Sequence, residues 1–160
     1  MIKATYVDHM RWSDIDTFMR FHIKAPTSVL INMDSTGLRR TNIEPKPGKE
    51  GIELFEPATW RGFTDCISIE DIHIKTTQLY DISLYEHLIS EGVSEPQARG
   101  ILPQNLMMEW YWSGSITDFA NLYNKYHNSD VILEVRQVIW RIDEEMPDMY
   151  RSEWDSLIKN

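Results

Sequence analysis

Arg99 lies between Ala98 and Gly100 in the stretch ARGILPQNLMMEWYWSG, Ala98 to Gly114, where a short helical turn runs into Pro103. A guanidinium on such a turn could grip a phosphate or carboxylate with two parallel N–H bonds. Glu95, four residues earlier, stands at the spacing of a helical ion pair, and spacing alone leaves both readings open. Arg39 and Arg40 form a second basic pair, a candidate anion site that could equally be solvated. The five histidines His9, His22, His73, His87 and His127 are scattered, and none forms a metal-ligating box with a second His, Asp or Glu. Glu91, four after His87, reads as ordinary helix surface. There is no glycine-rich phosphate loop after a strand, no G-x-S-x-G elbow and no Ser, His and Asp set, so neither a protein nucleophile nor a metal is expected. Cys66, the single cysteine, excludes an intrachain disulfide and reads as a small buried hydrophobe.

These residues must be positioned by elements that the hydrophobic pattern predicts. Ile2, Ala4 and Tyr6 alternate with Lys3, Thr5 and Val7, and Met19, Phe21, Ile23 and Ala25 alternate with Phe18, Arg20, His22 and Lys24, as in two half-buried strands. Pro26 ends the second, and Thr27 to Met33 suits a helical turn or two. In STGLRRTNIEPKPGKEG, Ser35 to Gly51, three Gly and two Pro predict an irregular loop, the longest in the chain and a mobile carrier for Arg39 and Arg40. From Ser68 the spacing of Ile69, Ile72, Leu79, Ile82, Tyr85 and Leu88 predicts a helix of about six turns, with Ser68 and Asp71 as its capping box and Gly92 past its end. Ser94 and Pro96 start a short helix that Gly100 and Pro103 stop. Leu106, Met108, Trp110 and Trp112 then alternate with Met107, Glu109 and Tyr111, a strand that fills the core with its aromatics and that Gly114 breaks. Ser115 and Asp118 make a capping box for a helix to about Tyr126. Ser129 caps the next, whose face is Val131, Val135, Val138, Ile139 and Ile142, and Pro147 opens a last helix bearing Tyr150, Trp154 and Leu157.

A chain of 160 residues, 42% hydrophobic with six Trp, seven Tyr and five Phe, can bury one core and is expected to form one domain over residues 1–160. Sixteen Lys and Arg against 25 Asp and Glu leave a formal charge of −9, which repels a duplex backbone and argues against a nucleic-acid partner. A single nucleotide needs only two or three well-aimed donors and is not excluded. No apolar run reaches the roughly 18 residues that cross a bilayer, and MIKATYVDHM lacks the pattern of a secretion signal, so a cytoplasmic protein with no membrane partner is expected.

Taken together, TFMRFHIKAP, Thr17 to Pro26, and EGVSEPQARGILPQNLMMEWYWSGSITDFANLYNKYHNSDVILEVRQ, Glu91 to Gln137, resemble the flavin-dependent thymidylate synthases. That family shows an F-x-I/V-K-A-P strand end, an A-R-x-x-L-P element, a strand closing in W-T or W-S, and an E-I-R or E-V-R helix. The resemblance implies a mixed α/β (α+β) fold in which a sheet packs with long helices, assembled as a homotetramer with sites between subunits. It also implies transfer of a one-carbon unit from methylenetetrahydrofolate to dUMP with reduced FAD as hydride donor. By the same resemblance Arg99 matches an arginine that holds the substrate nucleotide, and Asn121 a helix asparagine near the flavin. Arg136 matches the arginine of the E-x-R helix, in a supporting role.

The family's defining run, R-H-R-x-x-S-x-N-x-x-S-x-R-Y, falls on Ser35 to Gly48, and only Asn42 agrees with it. Arg39, Arg40 and Asn42 are therefore assigned with Arg99 to nucleotide binding. The family's Asn and Arg after the W-T pair fall on Ser115 and Thr117, its pyrimidine-contacting arginine falls on Tyr126, and Ser115 joins Asn121 on the cofactor side. Losing three charge-assisted bonds of about 1.5–3 kcal/mol each would weaken flavin binding by on the order of 10⁴–10⁶. FAD is thus the cofactor that the resemblance implies, with weak or absent binding expected here. The function read from the sequence is a thymidylate synthase-like nucleotide-binding protein, a pseudoenzyme without catalytic residues; the alternative is active FAD-dependent methylation of dUMP or a related pyrimidine nucleotide.

Overall fold

The structure is a computed structural model that describes residues 1–12, 16–57, 60–61, 66–67, 74–128 and 130–159; the side chains of residues 12, 60, 61, 66, 67 and 74–77 also lie outside the description. It is a mixed α/β fold, as expected. Its contacts divide the chain into two compact units, Met1–Glu44 with Met108–Asn160, and Pro45–Met107.

The first unit is built on a four-stranded sheet in the order β1-β2-β6-β3, with β1 spanning Lys3–Trp12, β2 Asp16–Pro26, β3 Arg39–Asn42 and β6 Met107–Ser115. β1 pairs antiparallel with β2, Ala4 opposite Ile23 and Met10 opposite Phe18, and a register shift between Tyr6 and Asp8 bulges the edge strand. The alternation in β2 emerges as read: Met19, Phe21, Ile23 and Ala25 are buried, while Arg20, His22 and Lys24 lie half-buried on the opposite face. Burying a side chain such as Phe21 contributes about 1.5–3 kcal/mol. Against the inner face pack α4 (Ile116–Tyr126) and α5 (Leu133–Glu144), with the Phe21 and Phe119 rings 5.0 Å apart. The short α1 (Thr27–Ile31) follows Pro26, and α6 (Asp148–Leu157) follows Pro147, burying Tyr150 and Trp154 as the pattern required.

The reading of Ser35–Gly51 as one irregular loop is corrected. Leu38 N–H bonds Ser35 O at 3.0 Å, Gly37 takes a φ of 99° to reverse the chain, and Arg39–Asn42 then pair with β6, Arg39 opposite Ser113 and Asn42 opposite Trp110. The glycine therefore launches a strand, because β6 otherwise carries an unpaired row of backbone donors and acceptors that a neighbouring segment can satisfy. Gly114 does not break β6, which runs to Ser115. A Cβ there would come within 2.5 Å of Leu38 Cδ2, so the residue is small because the Leu38 turn lies across it. The third capping assignment also moves. α5 begins at Leu133 with Ile132 at the cap, so Val131 precedes the helix, whereas Val135, Val138, Ile139 and Ile142 are buried as expected. Ser129 lies outside the described residues.

In the second unit, a 3₁₀ turn at Gly48–Gly51, the paired β4 (Trp60–Arg61) and β5 (Cys66–Ile67), α2 (Ile74–Ser90), α3 (Glu95–Ala98) and a 3₁₀ turn at Arg99–Ile101 follow one another. Segment 53–55 is tied to 105–107 through Phe55 N–H to Asn105 O at 2.7 Å and Met107 N–H to Glu53 O at 2.6 Å. Tyr85, Ala98, Leu102 and Leu106 form the core, with Ile52, Leu54, Leu88, Val93 and Ile101 packed around them. Gly92 stops α2 at a φ of 85°. Ser68 and Asp71 lie outside the described residues, as does the Cys66 side chain. The predicted face of α2 is corrected at Leu79, which is 63% exposed although it shares the spacing of buried Tyr85. α2 is apolar on more than one side, and periodicity cannot choose which side a neighbour covers.

Candidate functional site

Arg99 emerges engaged by its own surroundings. Pro96 in the first turn of α3 and Ser94 before it begin a helix of 4 residues, and the following 3₁₀ turn, which starts at Arg99, sends the guanidinium toward the 48–51 turn. Nη2 donates to Gly51 O at 3.0 Å and Nη1 to Glu95 Oε1 at 3.4 Å. The side chains of Arg99 and Glu95 are 13% and 33% exposed, so this contact is shielded rather than a solvated surface pair. Of the two readings left open by the sequence, the ion pair with Glu95 is the one that forms, and the same guanidinium also reaches the Tyr85 hydroxyl.

Tyr85 completes the cluster. Its hydroxyl donates to the same Glu95 Oε1 at 3.2 Å, and the side chain is 1% exposed. Burial, and next the charge of Glu95, push its pKa above the ordinary tyrosine value, so it remains a donor at neutral pH. Lys49 in the 3₁₀ turn pairs with Glu86 on α2 at 2.7 Å, fixing that turn to the helix that carries Tyr85. Glu95 at i−4 was visible in the sequence. Tyr85 was not, being ten residues from Glu95 across a helix end, nor was the carbonyl of Gly51.

The other assigned residues belong to the first unit. Arg39, Arg40 and Asn42 lie on β3 with every side chain exposed, and neither guanidinium has an acidic partner among the described residues. Ser115 is 6% exposed and engaged within its cap: Oγ accepts from Asp118 N–H at 3.0 Å and donates to Asp118 Oδ2 at 2.7 Å. A hydroxyl so engaged has little left to offer a flavin. Asn121 is exposed on α4. Arg136 on α5 is half-buried with its guanidinium carbon 5.5 Å from the Trp140 ring centre, and its buried Nε has no acceptor among the described residues.

One constellation on this unit was missed by residue-by-residue reading. On the outer sheet face His22 Nε2 lies 2.9 Å from Glu109 Oε2 and Lys24 Nζ 4.0 Å from Glu109 Oε1, while Arg20 sits 5.3 Å from the Tyr111 ring centre and pairs with Asp8 at 2.6 Å. The signal was present in the alternation of β2 and β6, which puts these residues on the face away from the core, but the register that brings them together is long-range. Among the described residues no group of three or more His, Cys, Asp or Glu could hold a metal ion.

The profile of the family described as thymidylate synthase complementing protein matches residues 36–150. The fold is similar to that of a crystal structure of thymidylate synthase X from Helicobacter pylori with FAD and dUMP, with a TM-score of 0.70 over 100% of both chains and 8% sequence identity.

Proposed function

Because the chain belongs to the thymidylate synthase complementing protein family, we propose that it is a nucleotide-binding protein on the synthase scaffold in which flavin-dependent chemistry has been lost. The observation that carries this reading is β3. Where the family's anion-holding run would fall, this chain forms an exposed edge strand whose one agreement with that run is Asn42. Ser115, bound into its helix cap, and solvent-facing Asn121 offer a flavin little to hold it. In the second unit Arg99, shielded and pre-oriented, is the residue best placed to meet a nucleotide; in the first unit, taken by itself, Arg39, Arg40 and Asn42 are the exposed cationic and polar groups offered for the same role. We assign the protein to the cytoplasm as a single functional domain assembled into a homotetramer, by analogy with its family; no described helix is long and apolar enough to cross a membrane.

Titrating the purified chain with mononucleotides and with FAD while following the melting temperature tests the proposal. A mononucleotide at 100 times its dissociation constant should add about 2.7 kcal/mol of stability. FAD should add none, and dUMP should show no turnover with methylenetetrahydrofolate and a reductant. A yellow preparation carrying flavin, or tritium release from labelled dUMP, would instead establish the active enzyme, a reading favoured by the FAD and dUMP in the similar Helicobacter pylori structure.

A further inference from the structure

Resting on the assembled state proposed above, we propose that the outward stripe of α5 meets the same stripe of a second copy about a twofold axis at Trp140. The partner subunit's Glu144 then supplies the anion that Arg136 lacks. α5 commits Val135, Val138, Ile139 and Ile142 to the core of the first unit. Arg136, Trp140 and Glu144 follow one another at intervals of four, the spacing of neighbours on a helix surface, so they form one stripe. Trp140 is 40% exposed, and the Arg136 guanidinium carbon lies 5.5 Å from its ring centre. A solvent-facing tryptophan beside an arginine is the side-chain pairing most enriched at the energetic centres of protein contacts.

Arg136 points to an acidic occupant. It is half-buried, its Nε is covered without an acceptor, and no carboxylate of a described residue pairs with it. A guanidinium partly withdrawn from water and left without an anion is unfavourable, and an arriving carboxylate relieves it. Glu144 of the same chain cannot do so, because eight residues of helix separate the two by roughly 12 Å along the axis. Its only printed engagement is an exposed pair with Arg141 at 2.7 Å, an interaction weak enough in water to be shared with an incoming cation.

Equal spacing on either side of Trp140 is what selects a second copy over another acidic protein. In an antiparallel helix pair with a twofold axis at Trp140, a residue four before the axis meets a residue four beyond it. Each Arg136 therefore faces Glu144 of the partner subunit, and the contact is made twice from one patch, as an isologous interface requires. The two tryptophans close over the axis between these ion pairs.

Sedimentation velocity of the full chain over a concentration series tests this contact. Arg136→Glu sets carboxylate against carboxylate at both ends and should weaken self-association by at least about tenfold. Glu144→Arg, at an exposed position, should do the same by opposing two guanidinium groups, so the contact stays testable if Arg136→Glu folds poorly. The double variant carrying both substitutions restores opposite charges and should return the dissociation constant to within a few-fold of the unaltered protein, a recovery that mere loss of helix stability would not give. An assembly whose mass and dissociation constant ignore both single substitutions would overturn this contact while leaving the assembled state in place. Weakening by the single substitutions without recovery in the double variant would overturn it as well. An unaltered chain that stays monomeric throughout the series would remove both the contact and the assembled state.

Discussion

Asp34, just beyond α1, receives hydrogen bonds from the Thr36 hydroxyl and from the Thr36 backbone N–H at 3.0 Å, and pairs with Lys125 of α4 at 2.9 Å. The Thr36 hydroxyl first, then Lys125, hold its carboxyl at about 2, below the ordinary 3.8. Because the folded pKa is depressed, this contribution to stability is fully present above the unfolded value and is lost as pH falls through the folded one. Stability curves of the native protein and of Asp34→Asn should therefore be separated near neutrality and converge as pH drops from about 4 to about 2; curves that stay parallel would remove the assignment. Ser115 answers to a different force. Ser115→Ala deletes the acceptor of the Asp118 N–H, and the cap should cost about 1 kcal/mol in chemical denaturation. Capping chemistry of this kind is local, which is why the pair was legible at a separation of three residues, whereas the second partner of Arg99, Gly51, lies 48 positions away.

At the level of elements, the α5–α6 junction depends on one carboxylate. Asp143 receives Arg151 Nη1 at 2.8 Å and Trp154 Nε1 at 2.7 Å, and Trp154 is fully buried. Asp143→Ala would leave that indole N–H without an acceptor and should cost about 1–3 kcal/mol, measured as a shift in denaturation midpoint with unchanged slope. The turn before β3 makes a second demand. Gly37 has a φ of 99°, and a Cβ there would lie 2.9 Å from Asp118 Oδ1, so Gly37→Ala should destabilise by about 1–3 kcal/mol and disturb the same cap. β3 itself is a charged edge. Replacing Arg39 and Arg40 by alanine should change stability by no more than about 0.5 kcal/mol yet promote aggregation, visible in light scattering, because cationic side chains guard the open ladder.

For the molecule as a whole, the path of the chain matters more than any one contact. Asn42 pairs with Trp110 and Ile43 N–H bonds Glu109 O at 3.0 Å, so the chain leaves the first unit and returns to it on adjacent strands. The 45–107 unit is thus inserted between neighbours in one sheet. Joining residue 44 to residue 108 by a short flexible linker should leave a chain that keeps the sheet and helices of the first unit, read by circular dichroism and a cooperative thermal transition. Loss of cooperativity would show that the insertion is needed for that core.

By itself the sequence determined the period of each long element, the Ser115–Asp118 cap, the stop at Gly92, the buried faces of β2 and α5, and, through FHIKAP, ARGILP and EVR, the family. Those signals lie within about one helical turn or a few strand residues, so backbone geometry and local hydrogen bonding suffice to write them. Only the tertiary structure decided that Arg39–Asn42 is a strand, that Gly114 continues one, that Leu79 faces outward, and that Tyr85 and Gly51 flank the Glu95–Arg99 pair. Each of these depends on which distant backbone or side chain arrives alongside, and strand pairing and helix burial are long-range choices that a residue's immediate neighbours do not encode.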